Sequence, residues 1–301
     1  MATANIINGK EIASDIEKVI KRKVYEIKSE KNIVPGLAVI LVGEDPASMV
    51  YVKNKGKKCQ ESGMNSWEHR FPADVPENVI LDKINSLNND DSVDGILVQL
   101  PFPKSSKLSE RKIINHINPN KDVDGLHISN FGKLVAGDDG LFPATPTGCL
   151  ILLKKNIQNL EGLKALVVGR SNLVGKPIAH MLLKENCTVS IAHSKTTNIA
   201  EECIKSDIII AAVGIPKFIK GTWLNSESVV IDVGINRIQD NTSSKPILVG
   251  DVNFEEAIKH VRAITPVPGG VGPMTIACLL LNTLKAAKIR RGIYETSIES
   301  F

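Results

Sequence analysis

Tyr51 and Lys55 are the residues with most chemistry to offer, four positions apart in DPASMVYVKNKGKKCQESG, Asp45 to Gly63. The stretch reads as one helix: Asp45 suits the N-cap, Pro46 the first helical position and Gly63 the end. Met49, Val52, Gly56, Cys59 and Gly63 fall on one stripe that would face a core. Residues four apart in a helix sit one above the other. At about 100° per residue, Tyr51 and Lys55 share one shoulder of the stripe, at the border of core and solvent. An amine partly desolvated beside an aromatic ring has a lowered pKa and exchanges protons near neutrality. The competing reading is a solvated lysine on a helix that also carries Lys53, Lys57 and Lys58.

The neighbouring segments decide where this helix points. Asn8 to Lys28 has a helical apolar period, and Pro35-Gly36 breaks it. LAVILVG (37–43) is a continuous apolar run, as in a strand buried on both faces. A second strand is expected at Ser66–Phe71, helices at Val75–Leu87 and Leu108–Ile117, and a third strand at Val93–Leu100. This β-α-β-α-β alternation predicts a parallel sheet, whose ligands lie beyond the strand carboxyl ends. Lys55 and Gln99 both face that edge. In NPNKDVDGLH (118–127), Asp122 and Asp124 are either fixed acceptors at a pocket mouth or part of an exposed loop. A Ca²⁺ loop is disfavoured, because the downstream Glu is missing. Pro143 to Thr147 reads as a hinge into a helix, Thr147–Asn156.

A second α/β unit begins with a strand at Lys164–Val168, a glycine turn, a helix at Val174–Glu185 and a strand at Thr188–Ala192. The turn keeps Gly169 and Gly175 but has Ser171 between them, a degenerate G-x-G-x-x-G in the right strand-to-helix context for dinucleotide binding. An NAD site usually has an acid after the second strand. Here the residues are His193-Ser194-Lys195-Thr196, and Arg170 lies in the turn, which favours the 2′-phosphate of NADP. Strands follow at Asp207–Val213, Ser228–Val233 and Ile247–Val249, then a helix at Phe254–Val261. AITPVPGGVGPMT (263–275) is either a linker to a final helix, Met274–Ile289, or a loop with a bare backbone that approaches a ligand closely.

Composition narrows the class. The 301 residues suggest two domains; 43% are hydrophobic and 23% charged, as in an ordinary globular chain. A net charge of +4 without a basic block, with 4% aromatics, argues against nucleic acid. Five scattered cysteines without C-x-x-C fit a reduced, cytoplasmic protein with no zinc site, and no other metal-ligand cluster is visible. No apolar run approaches the ~18 residues of a membrane span, and no signal or transit peptide is expected.

The motifs VGEDPASMVYVKNK, DGILVQLPFP, PNKDVDGLH, VVGRSNLVGKP, CTVSIAHSKT, VIDVGIN and TPVPGGVGPMT occur in that order. Together they resemble the methylenetetrahydrofolate dehydrogenase/methenyltetrahydrofolate cyclohydrolase family of the bifunctional FolD type, over nearly the whole chain. The resemblance implies Lys55 as the catalytic lysine, Tyr51 packing on the pterin, Gln99 hydrogen-bonding the lysine and Asp124 holding the pterin's amino edge. It implies substrate contacts at Val98, Leu100, Pro268, Gly269 and Gly270, and NADP contacts at Gly169, Arg170, Ser171, Ser194 and Ile235. It also implies tetrahydrofolate substrates and a homodimer. The expected architecture is two α/β domains. Residues 1–146 form a folate-binding catalytic domain with a parallel sheet, to which a C-terminal helix (274–301) returns, and 147–273 form a Rossmann-like NADP-binding domain. Rivals are a shikimate-type dehydrogenase with a Lys–Asp pair, and a redox-sensing NADP-binding regulator, for which no helix-turn-helix or basic arm is seen.

Overall fold

The computed structural model describes residues 4–239 and 246–293. The chain divides into two compact units, Ser14–Ala144 with the segment from Ile276, and the segment up to Ala13 with Thr145–Thr275.

The first unit is built on a three-stranded parallel sheet ordered Asn65–Phe71, Gly36–Val42, Gly95–Val98. The middle strand is buried along its whole length, which is why its sequence is apolar without alternation. Its Ile40 pairs with His69 on one side and Val98 on the other. Ile80 and Ile84 of the helix Glu77–Asn89 complete the core on one face. The helix Pro46–Glu61 starts as the middle strand ends: Asp45 accepts from the Ser48 amide at 2.8 Å, and Pro46 occupies the first turn. A further helix, Ile128–Ala136, has no counterpart in the sequence reading. The His127 ring caps its start and left-handed Gly137 ends it.

The helix Val271–Arg290 supplies this unit from Ile276 onward. Its Asn282 donates to the Val123 and Phe142 carbonyls, both at 2.8 Å, and Arg290 and Arg291 pair with buried Asp94. The helix begins three residues before Met274 because Pro273 fits a first helical turn. Residues 294–301 of the expected helix lie outside the described residues.

The second unit has a six-stranded parallel sheet ordered Asn5–Ile6, Ala263–Ile264, Val229–Asp232, Ile208–Ala211, Lys164–Val168, Thr188–Ala192. The start of the chain belongs here rather than with the first domain, since Asn5 and Ile6 pair with Ala263 and Ile264. From Lys164–Val168 the chain adds a strand on one side, then returns to the other, so the topological switch falls at Gly169. Ile247–Val249 is not part of this sheet; it pairs antiparallel with Asn236–Ile238. The helix expected at Thr147–Asn156 begins earlier, at Ala144, with Pro146 in its first turn, and the chain passes from one unit to the other between Ala144 and Thr145, within the expected hinge segment. Among the described residues, no helix is long and apolar enough to cross a membrane, and no three His, Cys, Asp or Glu side chains gather as metal ligands.

Candidate active site

Lys55 is 4% exposed, deeper than the border position its helical phase suggests, whereas Lys53 and Lys57 are exposed and Lys58 pairs with Glu17 at 2.7 Å. The solvated-lysine reading therefore fails for this one lysine of the helix. Its Nζ lies 4.9 Å from the centroid of the Tyr51 ring, one turn away. Across the sheet edge, Gln99 follows the end of the strand Gly95–Val98, and its Oε1 accepts from Lys55 Nζ at 3.0 Å. The other end of that amide, Nε2, donates to the Leu100 carbonyl at 2.7 Å. This bond turns the acceptor end of Gln99 toward the lysine. Val98 is buried in the strand, while Leu100 is half-buried and precedes a cis bond to Pro101.

Asp124 completes the cluster. Its loop is tied to the strand by the Ile96 amide, which donates to the Lys121 carbonyl at 2.7 Å. Lys121 is buried and donates to the Leu87 and Asp90 carbonyls at 2.8 and 2.7 Å. Asp122, also buried, accepts from the His127 amide and from Asn130 Nδ2, at 2.8 and 2.9 Å. Lys121 and Asp122 are thus anchors, and they leave half-buried Asp124 to face the lysine. Burial lowers the Lys55 pKa, and the Asp124 charge opposes that. Burial raises the Asp124 carboxyl, and the Lys55 charge opposes that in turn. The result is an amine that holds its proton less tightly than an exposed lysine does, with an oriented acceptor beside it. Such a group suits proton transfer.

The second unit gathers the other expected residues at the carboxyl edge of its sheet. Gly169 has φ +132°, and a Cβ there would lie 2.1 Å from the Ala212 carbonyl oxygen, so only glycine fits this turn. A Cβ on Gly175 would lie 2.2 Å from the Gly169 oxygen. The helix Gly175–Lys184 therefore starts tight against the turn. The Ser171 hydroxyl accepts from the Val174 and Gly175 amides at 3.1 and 3.4 Å, a helix-capping role in addition to any ligand contact. Arg170 is exposed beside it. The Gly169 amide donates to the Ala192 carbonyl at 2.9 Å, which brings the turn next to exposed Ser194 and Lys195. No acid lies in 193–197.

Pro268, Gly269 and Gly270 lead into the final helix. Gly269 has φ +106°, its carbonyl accepts from the Lys10 amide at 3.0 Å, and a Cβ on Gly9 would lie 1.9 Å from the Gly270 oxygen, one on Gly270 2.6 Å from the Pro266 oxygen. Ile235 is 55% exposed, and its Cδ1 is 3.8 Å from where a Cβ on Gly272 would be. Two buried aspartates lie behind these loops: Asp232, inside the motif VIDVGIN but given no role in the sequence reading, and Asp251, which no quoted motif contains.

Comparison with known proteins agrees over both units. The sequence model of the tetrahydrofolate dehydrogenase/cyclohydrolase catalytic domain matches residues 7–124, and that of the NAD(P)-binding domain matches residues 143–291. The bifunctional protein FolD of Paramagnetospirillum magneticum is 54% identical over 286 residues, 95% of this chain and 96% of that protein. The crystal structure of the bifunctional FolD enzyme from Campylobacter jejuni superposes with a TM-score of 0.91 at 44% identity, covering 95% of this chain and 99% of that one. The Trypanosoma brucei FolD, solved with NADP cofactor and an inhibitor, gives a TM-score of 0.92 at 33% identity over 97% and 99%.

Proposed function

The chain belongs to the tetrahydrofolate dehydrogenase/cyclohydrolase family, and from that premise we propose how its residues divide two consecutive reactions. The first is NADP-dependent oxidation of 5,10-methylenetetrahydrofolate to the 5,10-methenyl cation. The second is hydrolysis of that cation to 10-formyltetrahydrofolate. A shikimate-type dehydrogenase, which would also set a lysine beside an aspartate, is excluded by the family match across both halves.

The observation that carries the reading is the buried Lys55, bonded to Gln99 and lying over Tyr51. In the hydrolytic step, water adds to the methenyl carbon and loses a proton. The bond from that carbon to one ring nitrogen then breaks, the nitrogen takes a proton, and the remaining hydroxyl proton leaves to solvent as the formyl C=O forms. Neutral Lys55 accepts the first proton and, as the ammonium, returns it to the departing nitrogen. Burial loosens the proton on the amine, while Asp124 and the Tyr51 ring favour the ammonium. Gln99, held by the Leu100 carbonyl, accepts an N–H from either state and leaves the rest of the amine to the substrate. Asp124 accepts from the pterin's amino edge, and Tyr51 supplies its face.

The oxidative step requires alignment more than acid–base help, because the nitrogens flanking the reacting carbon stabilise the cation. When bound, NADP supplies the hydride acceptor. The bare Gly169 turn, the helix start at Gly175, Arg170, and the lack of an acid after Thr188–Ala192 fit a dinucleotide carrying a 2′-phosphate. Ser194, Ile235 and the Pro268–Gly270 loop would contact it. Folate binding is assigned to residues 14–144 with the C-terminal helix, and dinucleotide binding to 145–275 with the first strand. A cytoplasmic homodimer completes the proposal. The test is purified protein with NADP⁺ and methylenetetrahydrofolate, followed by methenyl absorbance, and then methenyl substrate alone. The absorbance is expected to rise in the first assay and decay enzymatically in the second. Oxidation of a hydroxy acid without turnover of either folate contradicts the proposal.

A further inference from the structure

Two V-G-I tripeptides follow adjacent strands: Val213-Gly214-Ile215 after Ile208–Ala211, and Val233-Gly234-Ile235 after Val229–Asp232. A single carboxylate joins them. Asp251 Oδ2 accepts from the Val213 and Gly214 amides at 2.6 and 2.9 Å, and its Oδ1 accepts from Asn236 Nδ2 at 2.9 Å. Gly234 is glycine because a Cβ there would lie 2.2 Å from Asp251 Oδ1. Asp232 holds Asp251 in turn. Its Oδ1 accepts from the Gly234 and Asp251 amides at 3.0 and 2.9 Å, and its Oδ2 from the Val252 amide at 2.9 Å. Both carboxylates are buried, with 3% and 0% exposure, and the donors bonded to them are uncharged N–H groups. A buried carboxylate held only by amides is a costly device.

The clasped loops reach two segments of the dinucleotide site named above, the Gly169 turn and the start of the final helix. Ala212, just before Val213, carries the carbonyl against which the Gly169 turn packs. Ile215 and Ile235 are 49% and 55% exposed, so the clasp presents apolar side chains outward instead of burying them in the core. Ile235 also lies against Gly272, at the start of the final helix.

We propose that Asp251, fixed by Asp232, is a positioning residue for the cofactor: it locks the two V-G-I loops together, with the first held against the Gly169 turn, and so sets dinucleotide affinity. This rests on the reading of the second unit as the NADP site. Asp251→Ala leaves two backbone amides and one side-chain amide without their acceptor. Losing such buried partners is typically worth a factor of about 5 to 150. The expected result is an NADP⁺ KM and Kd raised at least about 10-fold, with kcat at saturating NADP⁺ within about threefold of wild type. A merely structural role lowers Tm but leaves the KM of the folded enzyme unchanged. Asp251→Asn keeps an oxygen for the Val213 and Gly214 amides, and Asn236 can turn its amide to match, so KM returns to within about threefold. If Asp251→Ala does not fold, Asn236→Ala decides, with KM expected to rise about threefold or more. An unchanged NADP⁺ KM in folded Asp251→Ala or in Asn236→Ala overturns the proposal. Failure of the wild type itself to bind NADP⁺ in the same titration refutes the site assignment instead.

Discussion

Replacing Gly169 by alanine tests the dinucleotide turn at its tightest point. A Cβ built there meets the Ala212 oxygen at 2.1 Å and the Ala212 carbonyl carbon at 2.9 Å, both backbone atoms. No side-chain rotation relieves such a contact. The turn and the Ala212 loop must part by about 0.9 Å merely to reach 3.0 Å, the closest approach that real Cβ atoms tolerate. The backbone at φ +132° adds strain of about 1–3 kcal/mol for a residue with a side chain. That cost corresponds to a Tm lowered by about 2–4 °C for each kcal/mol. Displacement of the turn by this distance also moves Arg170 and the start of the helix Gly175–Lys184, and a misplacement of about 1 Å can cost on the order of 100-fold. The assay is a thermal melt with NADP⁺ titration and dehydrogenase kinetics on the same preparation. A lowered Tm and an NADP⁺ KM raised about 10- to 100-fold are expected. An alanine variant with wild-type KM and Tm would refute the reasoning, because the geometry leaves it no way to fit.

Arg170→Ala should reduce the NADP over NAD preference in kcat/KM by about 10- to 100-fold, since a charge-assisted bond to the 2′-phosphate is lost; an unchanged ratio contradicts the assignment. Burial raises the Asp232 carboxyl to about 7, against three amide bonds and with the Asp251 charge adding to the rise. The native state then holds a proton that the unfolded chain releases near pH 4, so stability falls as pH rises from about 4 to about 7. Relative to Asp232→Asn, the wild type should lose at most about 4 kcal/mol across that window in denaturant melts, and parallel pH profiles contradict it.

The features that could be read from the chain were those set by local spacing. Tyr51 and Lys55 declared themselves by a four-residue interval on a capped helix, Gln99 by its place at a strand end, and Gly169 by a strand–glycine–helix order. The depth of Lys55 was not readable in this way, because helical phase gives a direction but not how much protein covers it. Pro146 and Pro273 read as breakers although both sit in first helical turns, where a missing amide costs nothing. The helix Ile128–Ala136 is capped by a histidine ring, a rare signal. The two-residue strand at Asn5–Ile6 has too few residues for any period, and only its pairing with Ala263–Ile264 defines it. Asp251 is the clearest case of information absent from local pattern. Asp251 meets Val213 and Gly214 across 38 and 37 residues, and only the packed sheet edge brings them together.

Lys55 as the proton carrier is the claim on which the mechanism stands, and Lys55→Met measured for both activities in one folded preparation tests it most directly. Methionine keeps the unbranched, apolar stem and removes the amine that bonds Gln99 at 3.0 Å. Positioned acid–base groups contribute about 100- to 10,000-fold, so cyclohydrolase turnover should fall by that order while dehydrogenase turnover falls less. If both activities fall in parallel, or cyclohydrolase survives within a few-fold of wild type, Lys55 does not carry the proton.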